Sequence, residues 1–166
     1  FAAIPLLILL LNNKMPFAWV IFFIGGVSDM ADGFLARKAG NGSPWGAKVD
    51  PLTDKIFILA PLIWFVQQQI LPVWSIWLLI SRELIVSSWR SNLKSGGKAS
   101  KSGKIKTVVQ FISICMLLWP KAWGSSYVTT LINLVGWYLF WPSLVIAIIS
   151  GIKYLSFTNQ VESNQS

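Results

Sequence analysis

Two acidic stripes decide the fold: Asp29-Met-Ala-Asp32-Gly33-Phe-Leu-Ala36-Arg37 and, eight residues later, Gly46-Ala-Lys-Val-Asp50-Pro-Leu-Thr-Asp54. The chain has six carboxylate residues, and four of them fall within these two stripes. On an α-helix the offsets i, i+3, i+4, i+7 and i+8 share one face. Asp29, Asp32, Gly33, Ala36 and Arg37 occupy those offsets, so one stripe carries two carboxylates, two positions with almost no side chain and a guanidinium. Gly46, Asp50 and Asp54 repeat the idea at four-residue spacing. Two helices facing each other through these stripes gather four carboxylates, and the small residues leave room for a ligand to approach the backbone.

Apolar sequence surrounds both stripes. A carboxylate at mid-membrane costs ~2.5 to 3.5 kcal/mol on insertion scales, so four without compensation cost roughly 10 kcal/mol, as much as the whole stability of a domain. An interfacial position lowers that cost, and mutual repulsion raises it. Divalent cations are the simplest remedy, and hard oxygen ligands select magnesium, manganese or calcium. The plainer alternative is that the aspartates are interfacial charges at helix ends, solvated or paired with Arg37, Lys38, Lys48 and Lys55.

The rest of the chain is that of a polytopic membrane protein. Of 166 residues 54% are hydrophobic, ten are tryptophan and only 12% are charged, with a positive mean hydropathy. This excludes a soluble domain and predicts one compact all-α bundle of six transmembrane helices over 1–155, followed by a polar, disordered tail over 156–166. The apolar run 1–11 is too short to span a bilayer and reads as the remainder of a first helix whose start is missing, without the basic start of a signal peptide. Further helices are expected over about 17–37, 45–66, 72–92, 104–119 and 131–155. Gly25 and Gly26 suit close packing against a neighbouring helix. Ser43-Pro44 suits an N-cap with Pro in the first turn, and Pro51 should free the Ala47 carbonyl and bend the third helix beside Asp50. Glu83 and Arg90 share a face of the fourth helix, and charges inside a membrane segment seldom face lipid. That face is expected to turn toward the cavity of the aspartates.

Basic residues set the topology. Of fourteen Lys and Arg, Lys14 and Lys121 lie on one side and the other twelve at or between the opposite helix ends, so the aspartates face the cytoplasm. The same rule accounts for the net charge of +8, which points to anionic lipid headgroups rather than nucleic acid. There is no histidine, which removes an imidazole base and a His-bearing zinc site. Cys115, alone in an apolar helix, reads as a packing residue. A general base must then be a carboxylate or a less usual group.

The pattern Asp-x-x-Asp-Gly-x-x-Ala-Arg, eight residues, Gly-x-x-x-Asp-x-x-x-Asp resembles the signature of the CDP-alcohol phosphotransferases at every position. The resemblance implies a six-helix membrane fold, usually dimeric, that moves a phosphoalcohol group from a CDP-linked donor to an alcohol and releases CMP. It implies Asp29, Asp32 and Asp50 as ligands of magnesium or manganese, two ions per site, with Asp54 as the general base that also touches metal. Gly33, Ala36 and Gly46 then admit the nucleotide, with Arg37 near its phosphates. The wider string Ser-Arg82-Glu83-Leu-Ile-Val-Ser-Ser-Trp-Arg90, with Gly103-Lys104-Ile-Lys106-Thr107, resembles the bacterial phosphatidylglycerophosphate synthases within that family. That likeness implies transfer of a phosphatidyl group from CDP-diacylglycerol to glycerol 3-phosphate in the inner membrane, with Arg82, Arg90, Lys104 and Lys106 receiving the acceptor's phosphate. A sister activity on phosphatidylglycerol or inositol phosphate is the alternative. A cation channel or carrier is a more remote one, disfavoured because the acids crowd one side and no internal repeat is visible.

Overall fold

The computed structural model describes residues 2–39, 46–92 and 101–163, with side chains over 2–29, 31, 55–88 and 105–152. Within them the chain is all helix: α1 Ala3–Leu11, α2 Met15–Ala39, α3 Gly46–Gln67, α4 Val73–Asn92, α5 Lys101–Leu117, a single 3-10 turn Lys121–Trp123, and α6 Ser126–Ser163. Neither the N-cap expected at Ser43-Pro44 nor most of the polar loop before α5 falls within the described residues. α3 continues as one helix through Pro51.

Two turns are closed by the same device. After α1, Asn13 takes a left-handed conformation (φ 56°), and the Lys14 and Asn13 amides donate to the Leu9 and Leu10 carbonyls at 2.9 and 3.1 Å. After α3, Gln69 does the same (φ 58°), with the Ile70 and Gln69 amides on the Phe65 and Val66 carbonyls at 2.9 and 3.0 Å. These are Schellman caps, which satisfy the last carbonyls of a helix and reverse the chain tightly. The α1–α2 and α3–α4 pairs are therefore hairpins.

α6 departs from expectation at both ends. It starts at Ser126, before the apolar run, because Ser125 caps it by accepting from the Val128 amide at 3.4 Å. It continues to Ser163, through most of the stretch whose polarity suggested a disordered tail. No Pro or Gly follows Gly151 to stop it. Its segment Ser126–Ile152 is long and apolar enough to cross a bilayer; Met15–Asp29, Lys55–Gln67 and Ile105–Leu117 are shorter apolar helices among the described residues.

The core draws on every helix: Leu6 and Leu10, Phe22, Leu62 and Phe65, Leu79, Ile114 and Leu118, and Phe140 are buried together. Yet large apolar side chains also face outward all round the molecule, among them Ile4, Phe17, Ile24, Trp77, Tyr138 and Ile149. An exterior of that kind suits an apolar solvent rather than water.

Gly25 and Gly26 are contact points, as their sequence setting suggested. A Cβ on Gly25 would stand 2.6 Å from Phe57 Cζ of α3, and one on Gly26 would stand 2.1 Å from Phe111 Cε2 of α5. Phe22, one turn earlier, stacks on both rings at 5.4 and 5.3 Å. Gly26→Ala should therefore destabilise the protein by about 1–3 kcal/mol through overpacking, despite the better helix propensity of alanine. Gly124→Ala, whose Cβ would meet its nearest atoms at 3.6 Å, should stay within about 0.5 kcal/mol of the parent. Thermal unfolding in detergent compares them, and equal shifts for the two would refute the contact.

Candidate active site

Both acidic stripes are helical. Asp29, Asp32, Gly33, Ala36 and Arg37 all lie within α2, and Gly46, Asp50 and Asp54 within α3. The Gly25–Phe57 contact fixes how the two helices meet. Asp29 lies four residues beyond Gly25 and Asp54 three residues before Phe57, about 6 and 4.5 Å of helix rise respectively. The seven peptide links from Ala39 to Gly46 reach roughly 25 Å at most, too little to join these helices in parallel. The helices therefore run antiparallel, and Asp29 and Asp54 lie on the same side of the Phe57 contact.

Asp29 is exposed at this end. The side chains of Asp32, Gly33, Ala36, Arg37, Gly46, Asp50 and Asp54 fall outside the described residues, as do those of Arg90 on α4 and Lys104 on α5. Among the described residues no three His, Cys, Asp or Glu side chains gather. The test of metal binding is thus the chemistry of the donor set: four hard carboxylates at i, i+3 and i, i+4 on adjoining helices fit a hard divalent cation.

The second polar group is described in full. Arg82 and Glu83 are consecutive on α4 and turn to different neighbours. Arg82 Nε donates to the Ala147 carbonyl of α6 at 2.8 Å and Nη2 to Ser150 Oγ at 3.2 Å. Its stem packs on Gly151, where a Cβ would stand 3.0 Å from Arg82 Cγ. Nη1 donates to Glu83 Oε1 at 2.8 Å. The same Oε1 accepts from Lys106 Nζ of α5. One carboxylate oxygen thus joins two cations on two helices, and Arg82 joins both to a third.

This arrangement revises how Arg82 and Lys106 enter the site. The sequence presents Arg82 as a cation for a ligand; the structure uses three of its five N–H donors to hold α4 against α6 and to meet Glu83. Lys106 is only 5% exposed, and a buried ammonium persists only when paired. Lys55 of α3, the residue after Asp54, lies within electrostatic range of Lys106. The cationic group therefore adjoins the end of α3 that carries the aspartates. Sequence reading missed Ser150, Gly151 and the Ala147 carbonyl as partners. Their one trace is a pair of small residues, Ser150-Gly151, within an apolar run.

At the opposite end, Trp19, Trp119 and Trp123 pack edge to face with centroids 5.2–5.6 Å apart. Trp19 Nε1 donates to the Cys115 carbonyl at 2.8 Å. Lys14 and Lys121 belong to this end. Tryptophans gathered at one end suit a membrane–water interface.

A family model described as CDP-alcohol phosphatidyltransferase matches residues 1–149. A CDP-diacylglycerol--glycerol-3-phosphate 3-phosphatidyltransferase of Salmonella choleraesuis is 32% identical, over 86% of this chain and 81% of the relative. Proteins of the same name from Wigglesworthia glossinidia brevipalpis and Shigella flexneri serotype 5b are 31% and 33% identical, over 86% and 85% of this chain and 79% and 78% of theirs.

The Arg82 clamp is testable by itself. Arg82→Met removes the donor that ties α4 to the Ala147 carbonyl and Ser150 of α6, together with a partner of Glu83, and should cost about 3 kcal/mol. Ser150→Ala removes one hydrogen bond and should cost about 1 kcal/mol. Thermal unfolding of the two variants in detergent gives the ratio; equal costs would mean that Arg82 does not hold α4 to α6.

Proposed function

The chain belongs to the CDP-alcohol phosphatidyltransferase family, and on that premise we propose that it transfers the phosphatidyl group of CDP-diacylglycerol to glycerol 3-phosphate, giving phosphatidylglycerophosphate and CMP. The observation that carries this reading is the complete aspartate motif on two helices whose contact at Gly25 and Phe57 sets Asp29 and Asp54 on one side. The acceptor is taken from the three relatives described above, each of which bears the name of the glycerol 3-phosphate enzyme.

Asp29, Asp32, Asp50 and Asp54 are assigned as the ligands of two divalent cations, magnesium or manganese. Such ions, when bound, neutralise the pyrophosphate of the donor and the charge that develops on the departing CMP. The remaining work falls to the chain. Asp54 takes the proton from the attacking hydroxyl of the acceptor. The hydroxyl oxygen bonds to the phosphorus that carries the diacylglycerol, and the bond from that phosphorus to the bridging oxygen breaks, so CMP leaves with the electron pair. Gly33, Ala36 and Gly46 offer the nucleotide a surface with almost no side chains, and Arg37 meets its phosphates. Arg82, Arg90, Lys104 and Lys106 are assigned to the phosphate of the acceptor, Arg82 through its remaining donors.

The same reading embeds all six helices in the bacterial inner membrane. Outward-facing apolar side chains support it, together with the apolar segments of α2, α3, α5 and α6. It turns the aspartates to the cytoplasm, on the side that carries twelve of the fourteen basic residues. The donor's acyl chains then lie among the apolar flanks while its cytidine stays at the polar mouth. The enzyme is read as a homodimer, an expectation that rests on the family resemblance.

Purified protein should release CMP from CDP-diacylglycerol when given glycerol 3-phosphate and magnesium or manganese, and stop on chelation. Asp54→Asn should lower kcat by roughly 10²- to 10⁴-fold, the usual contribution of a general base. Asp50→Asn should abolish metal-dependent turnover. Release only with phosphatidylglycerol or inositol phosphate would move the enzyme to a sister activity, and unimpaired turnover by either variant would reject the site.

A further inference from the structure

Glu83 is the one acid in contact with two of the residues assigned to the acceptor's phosphate among the described residues. Lys106 is 5% exposed, and an ammonium at that depth keeps its charge only beside a fixed counterion. That counterion is Glu83, near the start of the polar half of α4, with its side chain 26% exposed. Its Oε1 accepts from Lys106 Nζ and from Arg82 Nη1 alike. Two cations that share one oxygen are held a few ångströms apart, the spacing that two oxygens of a phosphate bridge.

The two cations do not depend on Glu83 equally. Arg82 is anchored without it, by the Ala147 carbonyl and Ser150 Oγ of α6. Lys106 is flanked by cations, Arg82 and Lys55, and among the described residues the carboxylate that meets its ammonium is Glu83. The triad of Arg82, Lys106 and Glu83 also keeps a net charge of +1, so the carboxylate aligns the cations without cancelling their attraction for an anion.

We propose that Glu83 is a positioning residue of the acceptor subsite, whose carboxylate holds the Lys106 ammonium in line with the Arg82 guanidinium so that together they receive the phosphate monoester of the acceptor. This rests on the reaction proposed above. It assigns Glu83 no contact with substrate: the residue acts through Lys106.

The experiment measures KM for glycerol 3-phosphate and for CDP-diacylglycerol in the full-length enzyme, in Glu83→Ala, Glu83→Gln and Glu83→Asp, with and without Lys106→Met. Loss of a charge-assisted contact corresponds to roughly tenfold to hundredfold, so Glu83→Ala should raise the acceptor KM by that factor and leave the donor KM within about twofold. Glu83→Asp, which keeps the charge, should recover part of the loss. In the Lys106→Met background Glu83→Ala should add less than about threefold, because contacts that act through one residue are not additive. An unchanged or lowered acceptor KM would overturn the proposal, as would equal rises for donor and acceptor, or an undiminished penalty in the Lys106→Met background. If Glu83→Ala does not fold, Glu83→Gln and Glu83→Asp carry the same comparison, since each still offers Lys106 an oxygen. Failure of the underlying reaction shows separately, in the parent enzyme, as CMP release that does not depend on an acceptor bearing a phosphate monoester. If the parent prefers another phosphomonoester, the same KM comparison is made with that acceptor.

Discussion

The close approach of α2 to its two neighbours is the constraint on which the rest of the molecule depends. Gly25 and Gly26 are adjacent in sequence and point about 100° apart around the helix, one to Phe57 of α3 and the other to Phe111 of α5. Phe22 stacks between the same two rings. In an apolar medium there is no hydrophobic force to press helices together, and spacing must come from van der Waals fit and a few hydrogen bonds. Here the fit lies one helical turn from Asp29 and less than one from Asp54. A larger residue at Gly25 would drive apart the two helices that carry the acids, and one at Gly26 would push α5 away from α2, so packing and chemistry are set at one place.

The hydrogen bonds follow the same economy. Trp19 donates to the Cys115 carbonyl, Ser113 Oγ to the Gly136 carbonyl at 2.8 Å, Trp137 Nε1 to the Ile70 carbonyl at 3.2 Å, and Arg82 to the Ala147 carbonyl. Each ends on a backbone oxygen of a different element. A side-chain donor that would be costly to leave unpaired in a low-dielectric interior is thereby turned into a tie between helices. Gly136 serves this too: a Cβ there would stand 3.0 Å from the Leu117 amide nitrogen and 3.1 Å from the Ser113 carbonyl, so α5 and α6 touch through backbone.

What the sequence made legible was local. The stripes from Asp29 to Arg37 and from Gly46 to Asp54 depend only on helical periodicity, and α2 and α3 carry them as read. The paired glycines announced a contact, although not its partners. The start of α6 was also available in Gly124-Ser125-Ser126, an N-cap signal that the apolar run a few residues later obscured. Arg82 was beyond reach because its partners lie 65 and 68 residues away and one of them is a backbone carbonyl, which has no signature in a sequence. Lys106 was legible as a cation for the acceptor's phosphate near a helix start, but its burial was not legible, for the same reason. Its burial is a property of how α5 meets α4, and hydropathy along one helix does not contain it.

The separation of charge between helix pairs follows from the substrates in the proposed reaction. Both substrates are anionic at the groups that react or are recognised, and they must meet within bonding distance. Carboxylates can hold a pyrophosphate only with cations between them, so the proposed reaction assigns the donor to α2 and α3. A phosphate monoester needs no intermediary with ammonium and guanidinium groups, so the proposed reaction assigns the acceptor to α4 and α5. The two sides have opposite intrinsic sign, and the boundary between them falls within α3, at the step from Asp54 to Lys55. The base proposed at Asp54 belongs to the acidic set assigned to the donor and is followed directly in sequence by Lys55, the first residue of the cationic side. Because α3 is anchored at Phe57, three residues further on, the helix that carries this boundary is the one whose position the glycines of α2 determine.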